Sequence, residues 1–250
     1  MATASPGMTA SEMSFRIVSS EAFAPFVSGT IFESAIASTM DWEDMRSILF
    51  AALLAMSGST IAAPTILVFG DSLSAAYGIP ESAGWVALLG ERLKQRKSNY
   101  TVANASISGE TSAGGAARIG KALASAKPSI VVVELGANDG LRGLPVTEMK
   151  KNLTAIVQAS KREGARVVLV GMQLPPNYGV PYVNQFKAVF GEIAKEERVA
   201  FVPFLLEGLD QREQFQADNL HPTAQAQPIL LENVWRKLAA MLLGPPPRRS

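Results

Sequence analysis

The stretch ILVFGDSLSAAYGI, residues 66–79, passes from a run of aliphatic and aromatic residues to glycine and then to small polar ones. A short apolar run that ends at glycine is the pattern of a strand buried on both faces inside a parallel sheet. Open α/β sheets gather their ligand chemistry at the carboxyl edge of such strands. The segment Gly70-Asp71-Ser72-Leu73-Ser74 therefore breaks the run where a reactive group would stand. Taken alone, the serine reads at least as well as a helix cap.

Working outward, strand-like apolar runs occupy residues 65–69, 100–103, 130–135, 166–170 and 199–202. Helical spacing fills the gaps between them. Val146, Met149, Leu153, Ile156 and Val157 share one face, as do Tyr182, Phe186, Val189, Phe190 and Ile193. A last amphipathic segment, residues 224–243, stops at Gly244 and three prolines. Strand and helix alternate with short connections and no internal linker. This predicts one α/β domain over residues 63–250, a five-stranded parallel sheet with helices on both faces and the third strand central.

Composition narrows the chemistry. The chain has 250 residues, 48% of them hydrophobic, enough for one domain with a sizeable core. Its 23 Lys and Arg nearly balance 22 Asp and Glu, and the only basic run is the terminal Arg248-Arg249. A nucleic-acid partner is not expected. Cysteine is absent, which removes disulfides, thiolate metal sites and a cysteine nucleophile. His221 is the one histidine, so no site with two histidine ligands exists and any imidazole base must be this residue. No metal or organic cofactor is expected, and the protein is expected to be a monomer.

Residues 45–63, MRSILFAALLAMSGSTIAA, have the layout of a secretory signal: Arg46, an apolar core over 48–56, then small residues. The core is too short to span a bilayer, so no stable membrane insertion is expected. Cleavage after Ala62 keeps Pro64 away from the scissile bond. Residues 45–62 are thus expected to be a signal peptide for a periplasmic or secreted protein. Residues 1–44, with Asp41, Glu43 and Asp44 just ahead of the signal, are expected to be a mis-assigned or disordered extension.

Four polar interruptions carry the candidate chemistry. GDSLS follows the first strand, and NASISGETSAGG, residues 104–115, follows the second. VELGANDG, residues 133–140, ends the third, and DNLHP, residues 218–222, precedes the last helix. Each has an ordinary reading as a turn, loop or cap. Together they contain the parts that acyl transfer by serine needs: a hydroxyl, an imidazole, a carboxylate to set its tautomer, and donors for an oxyanion. Ser74 occupies the last position of a would-be G-x-S-x-G elbow, so the α/β-hydrolase signature is missing.

The ordered blocks ILVFGDSLSAAYG, NASISGETS, VELGANDGLRG, LPPNYG and DNLHP resemble the GDSL, or SGNH, hydrolases, within them the periplasmic arylesterase, thioesterase I and lysophospholipase group. The resemblance spans essentially all of residues 63–250 and implies a flavodoxin-like three-layer sandwich. It also implies a serine hydrolase of acyl esters and thioesters, with a small-molecule acyl ester or thioester as substrate. By the same resemblance Ser72 is the nucleophile, His221 the base and Asp218 its orienting carboxylate. The backbone N–H groups of Ser72 and Gly109 and the Asn138 side chain form the oxyanion hole. Leu141, Leu174, Pro175 and Tyr178, in loops flanking the cleft, are expected to meet substrate. Ser106 and Ser108 read as loop hydrogen-bonders, Asp71 and Asp139 as loop braces, and Glu134 as part of a buried hydrogen-bonded network. The alternatives are a carbohydrate O-deacetylase, or a non-catalytic relative that binds lipid or glycan.

Overall fold

The computed structural model describes residues 63–243; the expected extension over 1–44 and signal over 45–62 lie outside the described residues. Five strands form one parallel sheet: β1 (Thr65–Gly70), β2 (Thr101–Asn104), β3 (Ile130–Glu134), β4 (Arg166–Val170) and β5 (Ala200–Val202). Their spatial order is β2-β1-β3-β4-β5, the flavodoxin-like order, with β3 central. Ile66–Phe69, Val131–Val133 and Val168–Val170 are buried because helices cover both faces of the three inner strands. β2 is an edge strand with exposed ends, and it starts one residue later than the apolar pattern, after the buried Tyr100.

The helices are α1 (Trp85–Gln95), α2 (Ser112–Ala126), the short α3 (Ala137–Leu141), α4 (Val146–Arg162), α5 (Val180–Glu197) and α6 (Gln227–Leu242). Right-handed crossovers send the connection that steps from β1 to β2 to one face, and those that step the other way, from β2 on to β5, to the opposite face. The packing agrees: α2, α4 and α5 lie side by side, while α6 returns after β5 to pack on α1. The periodic faces read from the sequence are the buried ones, Val146, Met149, Leu153, Ile156 and Val157 on α4 and Phe186, Val189, Phe190 and Ile193 on α5. Tyr182 departs from this, being half-buried with its hydroxyl donating to the Leu144 carbonyl at 2.7 Å. The last helical segment opens with a 3-10 turn, Ala224–Ala226, before α6 proper. No helix among the described residues is long and apolar enough to cross a membrane.

Chain order reverses between β1 and β3, whose carboxyl ends lie side by side with Gly70 opposite Glu134. A cleft opens beyond such a reversal because the connections leave in opposite directions. The four polar interruptions converge there.

Candidate active site

Gly70 closes β1 against Glu134 of β3. A Cβ on Gly70 would stand 2.6 Å from Glu134 Oε2 and 2.8 Å from Ser74 Oγ, so only hydrogen fits. Glu134 Oε2 accepts the Ser74 hydroxyl at 2.7 Å and the Asp71 N–H at 3.3 Å, which bolts the turn to the central strand. The chain then coils back, Ala75 N–H bonding Asp71 O at 2.9 Å and Tyr77 N–H bonding Ser72 O at 3.2 Å. Ser72 is left half-buried at the sheet edge.

His221 arrives from the other side on a tight loop. Asp218 Oδ1 accepts the backbone N–H groups of Leu220 and His221, each at 3.0 Å, an Asx-type turn that sets the loop's shape. Its second oxygen lies 2.7 Å from His221 Nδ1. The ionised carboxylate only accepts, so Nδ1 carries the proton and Nε2 is bare. Nε2 lies 2.9 Å from Ser72 Oγ and accepts its hydroxyl. Gln216 ties the two loops together: its Nε2 donates to Tyr77 O at 2.8 Å and to Pro222 O at 3.1 Å. The Tyr77 ring lies 4.5 Å from the imidazole, centroid to centroid.

Gly109 and Asn138 come from the connections after β2 and β3. Gly109 has φ +77°, a left-handed conformation that a side chain disfavours. Its loop is held by Arg142 Nη2 on Gly109 O at 3.0 Å, and by Arg118 on Ala105 O and Glu110 Oε2, both at 2.6 Å. Asp139 accepts the Ser112 N–H at 2.7 Å and its hydroxyl at 2.6 Å, joining the start of α2 to α3. Asn138, one residue earlier, donates through Nδ2 to Asp71 Oδ2 at 3.2 Å.

Ser72, Gly109, Asn138 and His221 line one cleft of about 540 Å³. Leu141, Leu174 and Pro175 line it as well. Tyr178 does not: its hydroxyl donates to Leu141 O at 3.1 Å, so it buttresses the wall from behind. Ser106 ties its loop to the end of β1, its hydroxyl accepting the Gly70 N–H at 3.1 Å, whereas Ser108 faces the cleft.

The GDSL-like lipase/acylhydrolase family model matches residues 68–228. The chain belongs to this family. The acylhydrolase is 51% identical over 201 residues to "Esterase TesA" of Pseudomonas aeruginosa, covering 79% of this chain and all of that one. It is 39% identical over 194 residues to "Thioesterase 1/protease 1/lysophospholipase L1" of Escherichia coli K12, covering 77% and 92% respectively. The crystal structure of a TesA superposes with a TM-score of 0.69 at 53% identity, over 72% of this chain and 99% of that one. The protein is a serine esterase of the carboxylic ester hydrolase class.

Electrostatics divides the acylhydrolase's carboxyl groups by surroundings. Burial raises Asp218, but N–H groups of His221 and Leu220 and the imidazole outweigh it and hold Asp218 at about 2. Asp71, fully buried, is pushed up to about 6 by burial, against hydrogen bonds from Leu73 and Asn138 that favour its charge. Burial, then the neighbouring Asp71 charge, drives Glu134 well above the carboxylate range, and its Oε1 has no hydrogen-bond partner. Sequence reasoning did not reach Met172, Phe204, Leu206 or Phe215, which complete the apolar walls of the cleft. Met172, Phe204 and Leu206 sit among apolar residues as core residues do, and Phe215 is a lone aromatic in a polar loop. The Arg142 and Gln216 clamps were missed too, since each acts through backbone carbonyls distant in sequence.

Proposed function

We propose that this esterase hydrolyses aliphatic acyl esters and thioesters, aryl esters and lysophospholipids among them, through an acyl-enzyme on Ser72. The observation that carries the reading is the unbroken relay Asp218–His221–Ser72 at the mouth of an apolar cleft. Ser72 Oγ attacks the acyl carbonyl carbon while His221 Nε2 takes its proton. The carbonyl oxygen becomes an oxyanion, held by the N–H groups of Ser72 and Gly109 and the Asn138 amide. Collapse breaks the bond to the leaving group, which takes the proton from His221 and departs as alcohol or thiol. Water then repeats the sequence, freeing the acid and restoring Ser72. Asp218 stays ionised throughout and steadies the imidazolium.

Walls built from Leu73, Met172, Leu174, Phe204 and Leu206 suit an aliphatic chain better than an acetylated sugar, which asks for polar partners. The names of the relatives, esterase, thioesterase and lysophospholipase, make those leaving groups the ones to test. Residues 45–62 act as a cleaved export signal, leaving a monomeric catalytic domain over 63–250 in the periplasm or medium, with 1–44 outside the working protein.

A fluorophosphonate probe labels the wild type and not Ser72→Ala, and peptide mapping finds the adduct on Ser72; labelling at Ser106 or Ser108 refutes the assignment. A panel of p-nitrophenyl esters of rising chain length, beside acyl-CoA and lysophospholipid, ranks the substrates. Preference for acetylated sugars over all of these overturns the acyl-chain reading.

A further inference from the structure

An asparagine carboxamide has two ends of nearly one shape, and its neighbours decide which end faces where. For an oxyanion donor the choice is everything, because a flipped Asn138 would turn a carbonyl oxygen toward the developing negative charge. Among the described residues one is bonded to the Asn138 side chain and makes this choice. Asp71 is fully buried beneath the nucleophile turn and uses both carboxylate oxygens: Oδ1 accepts the Leu73 N–H at 3.1 Å, and Oδ2 accepts Asn138 Nδ2 at 3.2 Å.

An ionised carboxylate has no proton to give. A flipped Asn138 would therefore set two acceptor oxygens against each other in the interior, a pairing that costs the desolvation of both. Asp71 is itself held still, since the Leu73 N–H lies two residues along its own turn and its backbone N–H is bonded to Glu134. The amide has two N–H bonds; spending one on Asp71 leaves the other for the cleft that Asn138 lines. We propose that Asp71 is a positioning residue that locks the Asn138 amide with its free N–H toward the reacting carbonyl. This rests on the reading of Asn138 as an oxyanion donor.

Asp71→Asn keeps the shape but offers an amide that either accepts or donates, so Asn138 loses its orientation. The test is a double-mutant cycle of Asp71→Asn and Asn138→Ala, with kcat and KM for one p-nitrophenyl ester and Ki for a trifluoromethyl ketone that forms a tetrahedral adduct. Loss of an oxyanion donor lowers kcat on the order of 10²- to 10³-fold. Asn138→Ala is expected in that range and Asp71→Asn at about 10²-fold or more, with KM within about threefold. Ki for the ketone should rise in step. In the Asn138→Ala background Asp71→Asn should cost no more than about threefold further, because the amide it orients is gone.

Near-normal turnover of Asn138→Ala overturns the oxyanion reading and this inference with it. A crippled Asn138→Ala beside a near-normal Asp71→Asn overturns the inference alone. Losses that multiply in the double variant also overturn it, because Asp71 would then act through the Ser72 turn and not through Asn138. Asp71→Ala, which removes the acceptor altogether, serves as the second variant and is expected to couple to Asn138 in the same way.

Discussion

The stability of Asp71→Asn relative to wild type should rise with pH even as the substitution slows catalysis. Burial holds the Asp71 carboxyl at about 6, against 3.8 in the unfolded chain. A folded-state value raised above the unfolded one means that the native state binds the proton more tightly. The contribution to stability is therefore full below pH 3.8 and is lost as pH rises through about 6. That interval, at about 1.4 kcal/mol per pH unit, corresponds to about 3 kcal/mol, a penalty that Asn, never charged, does not carry. About 2.5 kcal/mol of this falls between pH 4 and pH 7.5, and for a domain of this size 1 kcal/mol moves Tm by roughly 2–4 °C, so the Tm of the variant relative to wild type should climb by roughly 5–10 °C over that range. Any mismatch of the new amide with Leu73 and Asn138 is a constant offset and does not alter the trend. The subtraction also removes the carboxylates with lowered values, Asp218 and Glu197, whose contributions are lost on acidification in both proteins. Scanning calorimetry of the two proteins across that range is the assay. A Tm difference that stays flat with pH, or shrinks as pH rises, refutes the claim that a buried charge at Asp71 is being tolerated.

Gly70→Ala should destabilise by roughly 1–3 kcal/mol, since its methyl would drive into the Ser74–Glu134 hydrogen bond; thermal unfolding measures it, and an unchanged Tm argues against so tight a closure. Asp218→Asn should lower kcat on the order of 10³- to 10⁴-fold by removing the acceptor that sets the imidazole tautomer, while slow fluorophosphonate labelling of Ser72 persists. Leu206→Trp should fill part of the cleft and shift preference to shorter chains; at about 0.8 kcal/mol per methylene, losing room for three carbons lowers relative kcat/KM on the order of 50-fold, read as the dodecanoate-to-butyrate ratio. Expression of residues 45–250 should yield an exported product whose sequenced N-terminus lies near Ala63, and a cytoplasmic, unprocessed product counts against the signal.

Much of the frame is legible in the chain because burial on two faces leaves a simple mark. β1, β3 and β4 are unbroken aliphatic runs, and their extents differ from the sequence reading by no more than a residue at either end. The edge strands β2 and β5 are less sharply marked, since one side of each lacks a neighbour and the apolar requirement relaxes. Strand order is not written in any period. It follows from the hand of the crossovers, which is a property of twisted strands and not of particular residues. The candidate site divides in the same way. Ser72, Asn138, Asp218 and His221 sit in short blocks whose polar residues interrupt apolar runs, so they stand out locally. Phe204 and Leu206 lie in an apolar stretch and Phe215 is a single aromatic in a polar loop, and only the folded chain distinguishes a cleft wall from a core contact or a surface ring. Tyr178 shows the converse, a loop aromatic that looks exposed to substrate yet spends its hydroxyl on Leu141.

Asp71 joins the two halves of that division. In sequence it is a turn residue beside a serine, and the bond that gives it meaning reaches Asn138, 67 residues away. Its position follows from topology: the reversal between β1 and β3 brings the end of one strand beside the connection leaving the other. A buried carboxylate there is costly, and its charge also pushes the buried Glu134 alongside upward. Two neutral residues would pack in the same space without the electrostatic penalty, so stability alone does not account for the pair. What a carboxylate does that an amide does not is refuse to donate. Under the proposed oxyanion role of Asn138, its carboxamide must present nitrogen and never oxygen, and that refusal is the property the chemistry requires. The same residue should therefore lower the stability of the fold and raise the rate of the reaction, a trade expected where a site holds groups that the core would not choose.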